Sequence, residues 1–239
     1  MSSFRDNLLE GVSALGLNLT SKQVEDFEAY KNLLLEWNKK FNLTAITDEK
    51  EVAVKHFVDS LAVLPYLQVE PGMRLLDVGT GAGFPGVPLK IMFPDLEVCL
   101  LDSLQKRIGF LQEVISKLGL DGITTLHGRA EDVAHQDDLR ESFQLVTARA
   151  VARLSVLVEY CLPFVKPGGY FIAFKGSDVE NEVKAGENAL ATLKGKISKV
   201  VAFDLPLDGG RRNMVFMEKR GLSPIEYPRK AGTPEKKPL

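Results

Sequence analysis

LLDVGTGAGFPG, Leu75 to Gly86, sets apolar residues around an aspartate and follows them with Gly79, Gly81, Gly83 and Gly86. The run reads as a buried strand that ends in a glycine loop and opens a helix, the first unit of an open α/β sheet. Gly81, Gly83 and Gly86 satisfy the GxGxxG spacing of dinucleotide sites. A dinucleotide, however, lays an anionic pyrophosphate on the N–H groups of that turn. Asp77, two residues before Gly79, sets a carboxylate where that anion would lie. A cationic nucleoside is favoured there instead, by about 1 to 4 kcal/mol at effective dielectrics of about 80 to 20. S-adenosylmethionine, with a sulfonium, an ammonium and no phosphate, is the expected cofactor. Gly79, Gly81 and Gly83 then let the backbone approach the ligand with no Cβ in the way.

The surrounding pattern carries the same fold class. Residues 4 to 67 read as helices. In TSKQVEDFEAYKNLLLEWNKKFN the residues Val24, Phe27, Tyr30, Leu34 and Trp37 recur at three and four, with Thr20 or Ser21 as N-cap. A second helix is expected from about Lys50 to Leu67. From Met73 onward, short apolar runs alternate with helical segments, which implies βαβ units and a mainly parallel sheet. Strands are expected at Arg74 to Val78, Glu97 to Leu101, Ile123 to His127, Phe143 to Thr147 and Tyr170 to Phe174. Lys199 to Asp204 and Asn213 to Glu218 are close enough to form an antiparallel edge hairpin. The expected architecture is a Rossmann-like α/β fold in three parts: a helical cap over 1–70, a cofactor-binding domain over 71–220 and a basic tail over 221–239. The tail, GLSPIEYPRKAGTPEKKPL, is rich in proline and lysine and is expected to order only on binding a partner.

Composition narrows the function classes. In 239 residues, apolar content of 45% and charged content of 26% are those of a globular protein with a core. No window of about 18 uncharged apolar residues could span a membrane. The amino terminus, MSSFRDNLLEG, holds charges where a signal peptide has its apolar run, so a cytoplasmic location is expected. Cys99 and Cys161 sit in apolar runs, as free core thiols do. His56, His127 and His135 lack metal-ligand spacing, and no metal is expected. Net charge is −2, but residues 211–239 hold eight basic and three acidic side chains, leaving −7 for the rest. That asymmetry points to nucleic acid at one end of the molecule, through Arg211, Arg212, Arg229 and Lys230.

Each later strand ends in a residue suited to a nucleoside. Asp102 closes the second strand, where an acid accepts from ribose hydroxyls in either cofactor class or caps the next helix. HGRAED follows the third strand: Ala130 is small enough for adenine to approach, and Glu131 can address its edge or favour a helix start. VTARAVARL follows the fourth. It lacks the Asp/Asn-Pro-Pro-aromatic tetrapeptide that accepts from an exocyclic amine, and the cysteine that a pyrimidine carbon requires. It offers Thr147 and Arg149, both donors, and arginine matches the O6 and N7 acceptors of guanine. In the bland alternative, Arg149 faces solvent or pairs with Glu131.

These strings together, with EWNKKFNLTAIT, KHFVDSL, DSLQKRIGFL and YPRKAGTP, closely resemble the RsmG (GidB) family of bacterial small-subunit ribosomal RNA guanine-N7 methyltransferases. The resemblance covers nearly the whole chain. It implies a class I S-adenosylmethionine-dependent methyltransferase fold and cofactor contacts at Gly79, Phe84, Ala130, Glu131 and Arg149. It also implies 16S rRNA as partner, with guanine 527 as acceptor. A monomer is expected. Guanine N7 carries a lone pair and no proton, so attack on the methyl needs no general base. Rate is expected from holding the reacting atoms about 3 to 3.5 Å apart, in line and shielded from water. Arg149 is expected to orient the base, and His56 to act as a base or phosphate contact. Three alternatives stay open: a small-molecule or protein methyltransferase, a NAD-dependent oxidoreductase, and an RNA-binding module without catalysis. Gly109, inside the helix after the second strand, has no sequence rationale.

Overall fold

In a computed structural model the described residues are 3–176 and 179–239. They form a seven-stranded sheet of strands β1 (Arg74–Val78), β2 (Glu97–Asp102), β3 (Ile123–His127), β4 (Phe143–Arg149), β5 (Val165–Lys175), β6 (Gly195–Leu205) and β7 (Gly210–Lys219). The order across the sheet is β3-β2-β1-β4-β5-β7-β6. The first five strands pair in parallel, whereas β7 runs antiparallel to both β5 and β6. Strand order reverses between β1 and β4, which themselves run parallel, and ligands in such sheets bind outside the carboxyl ends of the strands at that crevice. The five expected strands and the edge hairpin are all present, the hairpin strands longer than expected. The crossing helices are α5 (Gly86–Met92), α6 (Gln105–Leu118), α7 (Ala130–Val133), α8 (Leu154–Cys161) and α9 (Glu180–Thr192).

Alternation along the strands builds two cores. Leu75 of β1 faces a core shared with α5, α6 and the N-terminal helices, whereas Leu76 faces one shared with α7, α8 and α9. Helices α1 (Phe4–Ala14) and α2 (Ser21–Phe41) each begin on a capping box, Ser3 with Asp6 and Thr20 with Gln23. Gln23 also donates to the carbonyls of Ile91 and Met92, fastening α2 to the end of α5. Phe4, Phe27, Tyr30 and Phe57 are buried against the same sheet face as Leu75. Trp37 Cη2 lies 4.0 Å from where a Cβ on Gly109 would stand, so packing does not demand the glycine.

The helix expected over Lys50 to Leu67 is interrupted. An α-helical turn, α3 (Glu49–Val52), passes into a π-turn, Ala53–Val58, then into α4 (Asp59–Leu61) and a final 3₁₀ turn, Leu64–Tyr66. Wide turns of this kind release backbone carbonyls from the helical ladder. The His56 carbonyl accepts from Ser60 Oγ at 2.6 Å and, with that of Lys55, from Arg149 Nη1.

The segment after Lys219 differs from expectation. It packs on the α7/α8 side of the sheet, Pro228 and Pro234 buried, and ends in a short helix, α10 (Thr233–Lys236). It needs no core of its own because Arg140 satisfies its backbone, donating to the carbonyls of Ser223, Pro224 and Tyr227. Glu141 accepts from the Ser223 N–H at 2.6 Å, and His135 Nε2 meets the Pro228 carbonyl at 2.9 Å. Lys219 is fully buried and bonded to the Leu162 carbonyl and Ser223. Burial pulls its ammonium down to a pKa of about 8 despite Glu141.

Candidate active site

Two cavities open at the carboxyl edge of the sheet, divided by the loop after β4. One, of about 320 Å3, lies above β1 and β2 and is lined by Gly79, Asp102, Gly128, Ala130, Glu131, Val151, Tyr160, Gly232 and Glu235 among others. The second, of about 450 Å3, is lined by Lys55, His56, Asp59, Arg149, Lys175, Glu182 and Arg212 among others. Ala150 borders the second cavity and Val151 the first, so a single peptide link parts them. Their charges are opposite. Asp102, Glu131 and Glu235 stand against Arg129 in the smaller cavity, whereas four cations stand against Asp59 and Glu182 in the larger.

Asp77 is not where the sequence reading put it. Its carboxylate is fully buried beneath the glycine loop and accepts from Thr80 Oγ1 at 2.6 Å, Gly86 N–H at 3.0 Å and Thr147 Oγ1 at 2.9 Å. It anchors the loop and does not line the small cavity. Burial raises its pKa to about 6, with the three hydrogen bonds working the other way. Thr147, expected as a donor to the base, is spent on the same carboxylate. Gly86 is packed closely: a Cβ would stand 2.5 Å from Leu100 Cδ2 and 3.1 Å from Asp77 Cβ, so a larger residue would displace one of them. The acidic character expected of Asp77 is supplied by Asp102, Glu131 and Glu235 instead.

Asp102 is held from several sides. Oδ2 accepts from Gly81 N–H at 2.9 Å and from Arg107 at 3.1 Å, and Oδ1 accepts from Leu104 N–H at 2.9 Å. It joins the glycine loop to the start of α6 and fixes an acid at the cavity floor. Gly79, with φ of +66°, lines the cavity, and a Cβ there would meet Val151 at 2.7 Å. Gly81 lies outside the lining and offers its N–H to Asp102. Gly83 faces the protein: a Cβ would stand 2.5 Å from the Tyr30 hydroxyl. The same hydroxyl donates to the Ala82 carbonyl.

Phe84 also lies outside the small cavity. Its buried ring stacks on His56 at 4.8 Å and on Tyr30 at 5.3 Å, with the Arg149 guanidinium over it at 5.1 Å. His56 Nε2 meets Thr44 Oγ1 at 2.8 Å. Burial first, and the Arg149 charge second, push its pKa down to about 4. Arg149 pairs with Asp59 at 2.7 Å, not with Glu131, and is mostly buried. Arg212 bonds the other oxygen of Asp59 at 3.0 Å. Asp59 lies buried between these two guanidinium groups; the sequence marks it as a polar break in the apolar periodicity of KHFVDSL, but not the arginines that it holds.

The four residues assigned to RNA separate. Arg212 lines the larger cavity, and Arg211 pairs with Asp204 on the exposed hairpin. Lys230 is exposed. Arg229 is claimed by Glu159 and is not a free cation. Among the described residues no group of three His, Cys, Asp or Glu side chains is placed to hold a metal ion, and no helix is long and apolar enough to cross a membrane.

Residues 23–215 match the family described as rRNA small subunit methyltransferase G. Ribosomal RNA small subunit methyltransferase G of Acetivibrio thermocellus is 51% identical over 98% of this chain and 96% of its own length. That of Brevibacillus brevis is 48% identical over 98% of this chain and 99% of its own. Among solved structures, TrmN from Thermus thermophilus superimposes with a TM-score of 0.53 at 20% identity, covering 68% of this chain and 48% of that one. A SAM dependent methyltransferase from Aquifex aeolicus gives 0.51 at 20% identity, over 67% of this chain and 89% of that one. The structural likenesses establish the fold, and on the strength of the family match the chain belongs to the rRNA small subunit methyltransferase G family.

Proposed function

We propose that this protein methylates N7 of a guanine in 16S ribosomal RNA, using S-adenosylmethionine held in the smaller cavity. The observation that carries the reading is the pair of cavities of opposite charge on either side of residues 150 and 151. An acidic cavity suits a cationic nucleoside and repels a pyrophosphate, which disfavours the dinucleotide alternative. A basic cavity suits a nucleotide with its phosphate. The donor set fits the cofactor: Asp102 and Glu131 offer acceptors for ribose and adenine, and Ala130 and Gly79 leave room for close approach. When bound, S-adenosylmethionine supplies a methyl group activated on a sulfonium.

The chain's own residues do the rest. Guanine N7 has no proton to lose, so no base is required of His56. That imidazole, neutral at physiological pH, serves as a flat wall with Phe84. Within the described residues the hydrogen bonds of Arg149 all leave from Nη1, which keeps Nε and Nη2 for an acceptor edge such as O6. Asp59 holds Arg149 and Arg212 in place and limits their mutual repulsion. The guanine must leave its stack to enter, at a few kcal/mol, which favours a loop or hairpin over continuous duplex. Arg211 and Lys230 lie where they can add salt-dependent phosphate contacts. One chain lines both cavities, which supports action as a monomer, in the cytoplasm where ribosomal subunits are.

The test is to incubate the purified protein with methyl-labelled cofactor and 16S rRNA or the small subunit, then map the labelled nucleotide and atom. Label on guanine N7 supports the reading. Label on an exocyclic amine overturns the mechanism, and no incorporation into either substrate overturns the function.

A further inference from the structure

The carboxyl-terminal segment, expected to serve RNA, lies against the smaller cavity. Gly232 and Glu235 line it, together with Asp102 and Ala130. The Gly232 N–H donates to Glu131 Oε1 at 3.0 Å, so the segment orients the acid placed for the nucleoside. Its anchor is Arg229, which gives Glu159 three hydrogen bonds: N at 2.8 Å, Nε at 2.9 Å and Nη2 at 2.6 Å. Glu159 is fully buried, and no other described residue donates to it. Nη2 also donates to the Lys237 carbonyl at 2.9 Å, closing the chain from 229 to 237 on one guanidinium.

We propose that residues 227–235 form the outer wall of the nucleoside pocket, and that Arg229 is a positioning residue that sets affinity for the nucleoside end of the methyl donor. The inference rests on reading the smaller cavity as the cofactor site. The wall makes a demand on the ligand: Glu131 and Glu235 face its nucleoside end with negative charge, so the ribose must carry free hydroxyls and no phosphate. Removing the Arg229 guanidinium strands the buried Glu159 charge and releases the turn that holds Gly232, and through it Glu131.

The test is calorimetry of the full chain with S-adenosylhomocysteine, beside filter binding of 16S rRNA and hydrogen exchange of the Gly232 amide without ligand. Arg229→Met is expected to weaken the nucleoside by about tenfold, a loss of about 1.4 kcal/mol. It is also expected to speed exchange at Gly232 and leave RNA affinity unchanged. Glu235 is exposed, so Glu235→Gln tests the wall without disturbing the fold; a weakening of about threefold is expected, at unchanged melting temperature. Wild-type affinity for the nucleoside in both variants overturns the wall alone, as does lost RNA affinity in Arg229→Met with nucleoside affinity intact. If Arg229→Met does not fold, Glu235→Gln decides. Failure of the wild type to bind the compound overturns the functional reading and the wall with it.

Discussion

Asp59 and Arg149 meet at 2.7 Å at the end of β4, one from the interrupted N-terminal helix and the other from the sheet. Arg212 completes the arrangement on the opposite carboxylate oxygen. Asp59→Asn leaves two neighbouring guanidinium groups without a counter-charge in a mostly buried setting. Stability is expected to fall by roughly 3 kcal/mol in urea denaturation. The rate of methyl transfer should fall with it, while affinity for S-adenosylhomocysteine changes little, since Asp59 borders only the larger cavity.

Asp77 works from beneath the loop. Asp77→Asn turns an acceptor of three donors into a group whose own N–H faces some of them, at about 2 kcal/mol or more of stability. Because the loss acts through the glycine loop, S-adenosylmethionine and the uncharged sulfide S-adenosylhomocysteine should weaken to the same extent. Direct attraction to the sulfonium predicts that only the cation suffers. Calorimetry with both compounds separates the two.

His56 titrates in the folded protein near pH 4, below its ordinary 6.5. The unfolded chain therefore binds this proton first as pH falls. The stability tied to neutral His56 is complete above about pH 6.5, is lost between about 6.5 and 4, and changes no further below that. Asp77, raised to about 6, acts in the opposite sense: it contributes below about pH 3.8, and that contribution is lost as pH rises through about 6. The effect of His56 is isolated by comparison with His56→Gln. From pH 7 to pH 4 the wild type should lose on the order of 2 kcal/mol more than the variant in denaturant midpoints. The rate should show no inflection from His56 between pH 6 and 8.

Arg211 sits on the exposed hairpin with Asp204 as its partner. If it meets one phosphate, Arg211→Ala lowers the slope of log affinity against log salt by about 1 and leaves guanine selectivity unchanged. Filter binding across a salt series measures it, with S-adenosylhomocysteine affinity as the unaffected control.

The fold was legible because each strand is short, apolar and punctuated. Leu75 and Leu76 alternate into opposite cores, and Gly79 and Asp102 stand at the strand ends that make the crevice. Charge was harder to read. Asp77 looks like a ligand contact in one dimension, but only three dimensions show Thr80, Gly86 and Thr147 converging on it. Arg229 lies among lysines and prolines, and nothing local announces that Glu159, seventy residues earlier, claims it. The pairing of Asp59 was hidden for the same reason, as its partners Arg149 and Arg212 lie far along the chain. The π-turn that presents His56 depends on sheet and helix meeting, which no local periodicity encodes.

Tyr30 reaches from α2 to the Ala82 carbonyl, and its ring lies on Phe84. The amino-terminal helices are thus the back plate on which the methyl-transfer loop is mounted, and not an appendage to a self-sufficient catalytic sheet. Grafting them from a distant relative would have to carry the tyrosine, the phenylalanine and the intervening glycine as one unit, or the graft would fit the sheet and spoil the loop.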